Sequence, residues 1–391
     1  MDLISKKNKK KPLILIVDDI PKNIQVLGNF LLEQEYELSV ATSGKQALEL
    51  VKLLKPDLIL LDIMMPEMDG FEVCNEIKNN EELKEIPIIF LTAKSEIKDI
   101  KKGFSLGAVD YIVKPFNLDE VLARINTHLE LKFSKQQLKE YSLQLEEINN
   151  KISNEITIAS EYFKSLLPQP FEDEFVKFNW KYKPSMKLGG DMFGYNKISD
   201  NYIFYLYDVC GHGIASTLFS INVMNILKNE IEQISNNLDP TLIFNNLNQL
   251  FQITDHKGYY FTIWLLIYNS STKEITYSSA GHHSAIIIDE NGNSNFINKG
   301  NFIIGGKKNY MFKSDKMHLN KNTIIYLFSD GTFNFQLNNN NIWTINNLKD
   351  FLTARVNENN KELNDLYEFI KNSSNNNTNF DDFTIVKIKF K

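Results

Sequence analysis

Four aspartates in the C-terminal part of the chain stand where an apolar, strand-like run ends or meets a turn. They are Asp191 in Gly-Gly-Asp, Asp208 in Asp-Val-Cys-Gly-His-Gly, Asp330 in Ser-Asp-Gly-Thr and Asp381 in Asp-Asp-Phe-Thr. Short carboxylates at one rim of a sheet can converge on divalent cations, and a set of oxygen ligands suits Mg²⁺ or Mn²⁺ rather than zinc. Because a pair of such ions is a common means of hydrolysing a phosphate ester, these residues predict a two-metal hydrolytic site.

The strands that would position these aspartates are predicted from runs of alternating polarity. The runs cover residues 179–183, 202–208, 260–268, 274–279, 285–289, 323–328 and 383–390, and helical patterns lie near 213–234, 239–251, 346–356 and 361–371. This mixture predicts an α+β domain of layered antiparallel sheets with flanking helices. In that fold Asp208 ends a strand, Asp330 follows one and Asp381 precedes the last.

The N-terminal third has a different pattern, in which short β-branched runs alternate strictly with amphipathic helical stretches. The predicted strands are 13–18, 37–41, 57–62, 86–92 and 109–113, and the predicted helices are 22–34, 44–54, 71–80, 96–106 and 117–131. This alternation predicts a parallel sheet covered on both faces, with function at the carboxyl ends of its strands.

Polar residues stand at those ends: Asp18 and Asp19 at the first strand, Asp62 at the third, Thr92 at the fourth and Lys114 at the fifth. Asp18 and Asp19 can hold Mg²⁺ beside Asp62, whose carboxylate can attack phosphorus. Lys114 and Thr92 can contact the phosphoryl oxygens. A single aspartate at a strand end more often caps a helix, but five matching ends in order disfavour that explanation. A dinucleotide-binding fold is disfavoured because no Gly-x-Gly-x-x-Gly follows the first strand.

This ordered set resembles the response-regulator receiver family over residues 12–131. The resemblance implies a five-stranded, flavodoxin-like parallel sheet, a histidine kinase as phosphodonor and Asp62 as phosphoacceptor. It also implies a Mg²⁺ site formed by Asp18, Asp19, Asp62 and the Met64 carbonyl. The implied switch face is formed by Thr92, Tyr111 and Lys114. The Lys114-Pro115 bond resembles the cis peptide of that family.

Residues 132–169 predict a signalling helix. An apolar residue recurs every seventh position, at Leu131, Leu138, Leu145, Ile152, Ala159 and Leu166, and a second series contains Tyr141, Ile148 and Tyr162. This spacing predicts a coiled coil and hence a homodimer. The alternative is one amphipathic helix packed on its own domain. Pro168 and Pro170 are expected to end the helix.

The four acidic motifs, together with Ser279-Ala280-Gly281-His282, follow the order found in metal-dependent protein serine/threonine phosphatases of type 2C. Residues 170–391 resemble most the bacterial branch named for sporulation stage II protein E, whose members include phosphatases acting on anti-sigma-factor antagonists. The resemblance implies that Asp208 bridges two Mn²⁺ or Mg²⁺ ions and that Asp191 orients a water. It implies three further ligands: the Val209 carbonyl on one ion, and Asp330 and Asp381 on the other.

Two histidines, His212 and His282, suggest a general acid. A histidine in a glycine turn is more often a structural hydrogen bonder, and this reading is preferred. Cys210 stands where the phosphatase family usually has serine, and a small apolar substitute is expected to be harmless.

Composition limits the other functions. The 391 residues suggest two or three domains, and a net charge of −6 gives no basis for nucleic-acid binding. The best apolar run, 261–268, is too short to span a membrane. Only Cys74 and Cys210 are present, which fits a reducing cytoplasm. Residues 1–11 are expected to form a disordered basic tail.

The sequence thus predicts a response regulator whose output is a Mn²⁺- or Mg²⁺-dependent serine/threonine protein phosphatase, controlled through Asp62. One alternative is a catalytically inert, phosphatase-like module that sequesters a partner in a phosphorylation-dependent way. Its weakness is that a scaffold has no need of four convergent aspartates. Another is a hydrolase of a small phosphorylated metabolite.

Overall fold

The computed structural model describes residues 11–93, 97–234, 238–338, 341–356, 361–373 and 381–391. The chain forms two compact units, divided between Asn149 and Asn150. Of the predicted basic tail, residues 1–10 lie outside the described part of the chain.

The first unit is an α/β domain. Its elements are β1 (Leu13–Val17), α1 (Pro21–Glu33), β2 (Glu37–Ala41), α2 (Gly44–Leu54), β3 (Leu58–Asp62), α3 (Gly70–Lys78), β4 (Ile88–Thr92), α4 (Ile97–Ser105) and β5 (Asp110–Val113). The five strands form one parallel sheet in the order β2-β1-β3-β4-β5. The predicted parallel architecture is confirmed.

Burial explains why these short runs become strands. Every residue of β3 and β4 is buried, as expected for central parallel strands covered on both faces. Ile59 and Leu61 enter one apolar core, whereas Leu58 and Leu60 enter another, because successive side chains point to opposite faces. The carboxyl ends of the strands are thereby held at one common edge.

The predicted helices at 117–131 and 132–166 form one continuous helix, α5 (Leu118–Leu166). No glycine or proline lies between its ends, so nothing in its sequence interrupts the backbone hydrogen bonds. The heptad residues Leu138, Leu145 and Ile152 are 68%, 60% and 50% exposed. The continuous helix is confirmed, and the coiled coil stays a prediction.

The second unit contains two larger sheets. Its elements are β6 (Phe171–Glu172), β7 (Val176–Lys183), β8 (Met192–Ile198), β9 (Asn201–Val209), α6 (Ile214–Gln233), α7 (Pro240–Leu250), β10 (Phe261–Asn269), β11 (Glu274–Ala280), β12 (Ala285–Ile288), β13 (Ser294–Ile297), β14 (Gly300–Asn301), β15 (Asp315–His318), β16 (Ile324–Phe328), a 3₁₀ turn (Asp330–Thr332), β17 (Phe335–Gln336), β18 (Ile342–Trp343), α8 (Ile345–Ala354), α9 (Glu362–Ser373) and β19 (Phe383–Phe390).

One sheet has the order β14-β11-β10-β9-β8, with β15 also paired to β11, and the other has the order β13-β12-β16-β19-β7-β6. Side chains of both sheets share an apolar core, in which Phe178 of β7 stacks on Phe204 of β9 with ring centroids 5.6 Å apart. A second core joins Tyr326 and Ile385 to helices α8 and α9. The predicted layered α+β fold is confirmed.

The sequence pattern does not predict β8, which begins directly after Asp191. Gly194 and Asn196 interrupt its alternation, and both residue types are depleted in strands. Pairing with β9 over its whole length overrides that local preference. Within the described residues, no helix is long and apolar enough to cross a membrane.

Candidate phosphoacceptor and metal-binding sites

Three aspartates meet at the carboxyl edge of the parallel sheet. Carboxylate oxygens of Asp18, Asp19 and Asp62 lie within 4.8 Å of one another. Asp18 and Asp62 are 0% and 4% exposed, so their charges need compensation from inside the protein. This donor set fits a Mg²⁺ ion, which prefers carboxylate oxygens and retained waters.

Lys114 already lies at this cluster. Its Nζ atom is 2.7 Å from Asp18 Oδ2 and 3.0 Å from Asp62 Oδ2, and its bond to Pro115 is cis. Burial raises the pKa of the Asp62 carboxyl group, and the Lys114 ammonium and a hydrogen bond from the Met64 main chain oppose that shift. The ammonium can therefore meet an anionic group added to Asp62.

The two predicted switch residues lie on adjacent strands. Thr92 ends β4 and is buried, while Tyr111 lies in β5 and packs edge-on against Phe104 with ring centroids 6.2 Å apart. Both line a small cavity of about 10 Å³ together with Ile63, which is room for about one water. The two switch residues therefore adjoin one small void beside the sheet.

In the second unit, strand register sets Asp191 beside Asp208. Asp191 precedes β8, Asp208 lies near the end of β9, and the register pairs Met192 with Tyr207. Asp191 is 1% exposed and its Oδ2 atom accepts a hydrogen bond from the Thr384 hydroxyl. Within the described part of the chain its Oδ1 atom has no hydrogen-bond partner. An orphaned buried carboxylate oxygen is costly unless a cation or a donor meets it, so the site fits a metal ion.

Asp330 and Asp381 reach the same place from the other sheet. Ser329 donates its N–H to the Thr384 carbonyl over 3.0 Å and its hydroxyl to the Asp382 carbonyl over 2.8 Å, which fixes the Ser-Asp-Gly turn against the start of β19. Burial and the charges of Asp330 and Asp381 raise the pKa of Asp208 to about 7. Mutual repulsion of this kind is what a divalent cation relieves.

These carboxylates are spread more widely than the N-terminal trio. Among the residues that the structure describes, no three of them bring oxygens within 4.8 Å of one another, as Asp18, Asp19 and Asp62 do. Ions that keep water ligands fit such spacing. The Val209 carbonyl lies close to the Gly-Gly-Asp turn, because a Cβ atom built on Gly190 would be only 2.9 Å from the Val209 oxygen.

Asp382 has no predicted role, yet it holds the Gly-Gly-Asp turn. Its carboxylate is 4% exposed and accepts hydrogen bonds from the Ser185 N–H at 2.8 Å, the Ser185 hydroxyl at 2.9 Å and the Gly190 N–H at 2.6 Å. The doubled aspartate in Asp-Asp-Phe-Thr is the sequence signal that could have pointed to it. Asp382 therefore positions Asp191 through the backbone.

His282 joins the two sheets beneath the aspartates. Its Nδ1 lies 2.6 Å from the Thr262 hydroxyl and its Nε2 lies 3.0 Å from the Phe328 carbonyl. Burial lowers the pKa of His282 to about 4, so the neutral ring can donate to the carbonyl and accept from the hydroxyl. Thr262 is the register partner of Asp208. These bonds suit a structural role, and His212 is exposed.

Lys187 links the segment that leads into Gly189-Gly190-Asp191 to helix α5. Its Nζ atom donates to the Ser153 carbonyl at 3.0 Å, the Ser153 hydroxyl at 2.7 Å and the Thr157 hydroxyl at 3.0 Å. Only Leu188 separates Lys187 from Gly189-Gly190-Asp191. A displacement of this end of the helix would therefore pull on the segment that carries Asp191.

Family models match both parts of the chain. The response regulator receiver domain matches residues 14–126, and stage II sporulation protein E (SpoIIE) matches residues 199–391. The chain is 51% identical over 122 residues to a probable cyclic di-GMP phosphodiesterase of Vibrio cholerae, which is 31% of this chain and 27% of that protein. It is 36% identical over 155 residues to the probable transcriptional regulator ycf29 of Pyropia yezoensis, which is 40% of this chain and 68% of that protein.

The chain spans about half or less of the length of the first curated relatives that it matches. Among solved structures, the SiaA-PP2C domain of Pseudomonas aeruginosa is 18% identical and superposes with a TM-score of 0.55. The match covers 62% of this chain and 98% of that domain, and it establishes a likeness of fold. The chain therefore belongs to the response regulator receiver family through its N-terminal unit and carries a SpoIIE-type PP2C phosphatase domain after it.

Proposed function

We propose that this protein is a response regulator whose output is a Mn²⁺- or Mg²⁺-dependent serine/threonine protein phosphatase, controlled by phosphorylation of Asp62. One observation carries the proposal: the buried Oδ1 atom of Asp191 has no hydrogen-bond partner among the described residues, and Asp191 lies next to Asp208, on which the charges of Asp330 and Asp381 act in turn. An inert scaffold gains nothing from such costly crowding of carboxylates.

In the proposed site each residue has one task. Asp208 would bridge two ions, with the Val209 carbonyl on one of them and Asp330 and Asp381 on the other, and Asp191 would hold the attacking water in position. When bound, the two ions would lower the pKa of that water and offset the charge of the phosphoryl oxygens. Asp382 keeps the Gly-Gly-Asp turn in place through its three hydrogen bonds.

In the receiver domain, Asp62 is the proposed phosphoacceptor. Asp18, Asp19 and Asp62 would hold Mg²⁺ together with the Met64 carbonyl, and a histidine kinase would supply the phosphoryl group. Lys114 would then turn from the carboxylates to the new phosphoryl oxygens. Thr92 and Tyr111 would convert that change into a different surface, because both line the small cavity next to Ile63.

The proposed substrate is a phosphoserine or phosphothreonine on a partner protein, and the SpoIIE match makes an anti-sigma-factor antagonist the leading candidate. We propose domain boundaries at 12–131, 132–169 and 170–391. A homodimer through α5 is supported by the exposed heptad side chains Leu138, Leu145 and Ile152.

The direct test is Mn²⁺-dependent hydrolysis of p-nitrophenyl phosphate by the full-length protein, with and without beryllofluoride as a mimic of phospho-Asp62. We expect hydrolysis that requires the metal and a rate that beryllofluoride changes about fivefold or more, a typical size for coupling between two sites. The variant Asp62→Asn should lose the response to beryllofluoride. Hydrolysis without any added metal would contradict the metal-dependent mechanism, and a response that persists in Asp62→Asn would contradict control through Asp62.

A second test concerns the link between α5 and the segment that leads into Gly189-Gly190-Asp191. In Lys187→Met the three hydrogen bonds to Ser153 and Thr157 are lost, so we expect the rates with and without beryllofluoride to become equal within about twofold, well below usual allosteric coupling. The control is Lys164→Met, which removes an exposed lysine from the last turn of the same helix. A full beryllofluoride response in Lys187→Met would show that the link does not transmit the signal.

A further inference from the structure

A cavity of about 210 Å³ opens beside Asp381 at the rim of the proposed metal site. A water molecule occupies about 30 Å³ of the liquid, so the cavity can admit a group as large as an amino-acid side chain. Its polar lining includes Lys183, Ser185, Tyr367, Lys371 and Asp381. No residue of the proposed mechanism other than Asp381 belongs to this lining.

Strand pairing brings one lysine to this rim. Lys183 is the last residue of β7 and is paired in register with Phe383, the first residue of β19. Because Asp381 stands just before Phe383, the end of β7 and the acidic motif share one edge of the sheet. The Lys183 Nζ atom lies 5.9 Å from the centre of the Tyr367 ring, which belongs to α9.

The second lysine comes from the opposite wall. Lys371 lies in the last turn of α9, and α9 is held beside β7 where Lys181 donates to the Asn364 side chain over 2.7 Å. In the described part of the chain neither Lys183 nor Lys371 forms an ion pair, and both side chains are exposed. Two ammonium groups therefore face one cavity from two different elements, against the single carboxylate of Asp381 in the same lining.

The positive charges of Lys183 and Lys371 lie next to acidic surroundings. The neighbouring site contains Asp191, Asp208, Asp330 and Asp381, and the whole chain carries a net charge of −6. A cationic pocket at the rim of an acidic site can attract an anionic group and place it at a fixed distance from the reaction. Because consecutive residues of an extended chain are only about 3.3–3.6 Å apart, a residue next to a bound phosphoserine would reach this cavity.

We infer that this cavity is a substrate subsite in which Lys183 and Lys371 bind an acidic side chain adjacent to the phosphorylated residue of a phosphoprotein. The inference rests on the proposed phosphatase function and adds a sequence preference to it. Ser185 contributes to the wall but is already engaged by Asp382, so the two ammonium groups supply the attraction.

The test compares two synthetic phosphoserine peptides of equal length, one with glutamates and one with alanines beside the phosphoserine. With the full-length protein and Mn²⁺, we expect kcat/KM to be about tenfold higher for the glutamate peptide, mainly through KM, since a pair of partly screened charges has effects of this order. The variant Lys183→Gln/Lys371→Gln should bring that ratio close to one. The control Lys177→Gln/Lys389→Gln removes the same charge from the far end of β7 and from the residue of β19 paired with it, and it should keep the ratio near ten.

A charge reversal makes the test independent of a general loss of activity. Lys183→Glu/Lys371→Glu should prefer a peptide with lysines beside the phosphoserine. Equal KM values of the native protein for the first two peptides would overturn the subsite. So would a preference for the glutamate peptide that survives in both Lys183→Gln/Lys371→Gln and Lys183→Glu/Lys371→Glu. Peptide binding measured in parallel by fluorescence anisotropy separates the two proposals. Tighter binding of the glutamate peptide without hydrolysis of any substrate would support the subsite and overturn the phosphatase function.

Discussion

Replacing Asp208 with asparagine is expected to reduce Mn²⁺-dependent kcat/KM by about a thousandfold or more, because the site should lose several kcal/mol of transition-state stabilisation from its metal ions. Asp208 is the one aspartate of the set whose pKa is raised by burial and by both Asp330 and Asp381. It therefore lies at the centre of the cluster. An amide cannot bridge two cations as a carboxylate does, so the ions would be lost or misplaced.

The same variant carries a second readout that does not depend on catalysis. In metal-free buffer Asp208→Asn should unfold at a higher temperature than the native protein, because one of several mutually repelling carboxylates has been removed. Added Mn²⁺ should then stabilise the native protein by mass action but not the variant. The control is Asp200→Asn, at the hairpin end of β9 and exposed to solvent. Undiminished hydrolysis by Asp208→Asn would mean that the metal site has been assigned to the wrong residues.

The receiver site could be predicted from the sequence because its geometry follows from local patterns. Asp18, Asp62 and Lys114 each stand at the end of a strand, and parallel strands of one sheet have their carboxyl ends at a common edge. Strict alternation of strands and helices therefore fixes both the fold and the neighbours. The predicted strand limits differ from the observed ones by only one or two residues at either end.

The phosphatase site was predictable only in part. The aspartates Asp191, Asp208, Asp330 and Asp381 are marked by glycine turns and apolar strands, and their order supports the resemblance to a known family. The residues that hold these aspartates in position are not marked by such sequence patterns. The Asp382 carboxylate accepts a hydrogen bond from the Gly190 N–H, 192 residues away in the sequence. A contact over such a separation leaves no periodic pattern in the sequence. The charged cavity next to Asp381 is built from β7, α9 and β19, three elements that only the folded chain brings together.

Gly189→Ala is the second change for which we expect a large effect. A Cβ atom at this position would lie 2.2 Å from Asp382 Oδ2 and 2.6 Å from the Tyr182 hydroxyl. Neither neighbour can move freely, because Asp382 is held by Ser185 and Gly190, and Tyr182 is 7% exposed. The strain should shift the turn that carries Asp191. Misplacement by about 1 Å can cost about a hundredfold in rate, and overpacking a buried site costs about 1–3 kcal/mol in stability.

Both losses can be measured on one sample, by kcat/KM for p-nitrophenyl phosphate with Mn²⁺ and by urea unfolding. The matched control is Gly300→Ala, where the nearest atom to the new Cβ is the Asn298 side chain at 3.7 Å, an ordinary contact that should leave both quantities within about twofold and about 0.5 kcal/mol of the native protein. If Gly189→Ala were destabilised but fully active, the turn would tolerate displacement, and Asp382 would be a support for folding alone. A loss of transition-state stabilisation, calculated from kcat/KM, that is larger than the loss in the free energy of unfolding would instead identify the Asp382–Gly190 contact as the element that keeps Asp191 in place for catalysis.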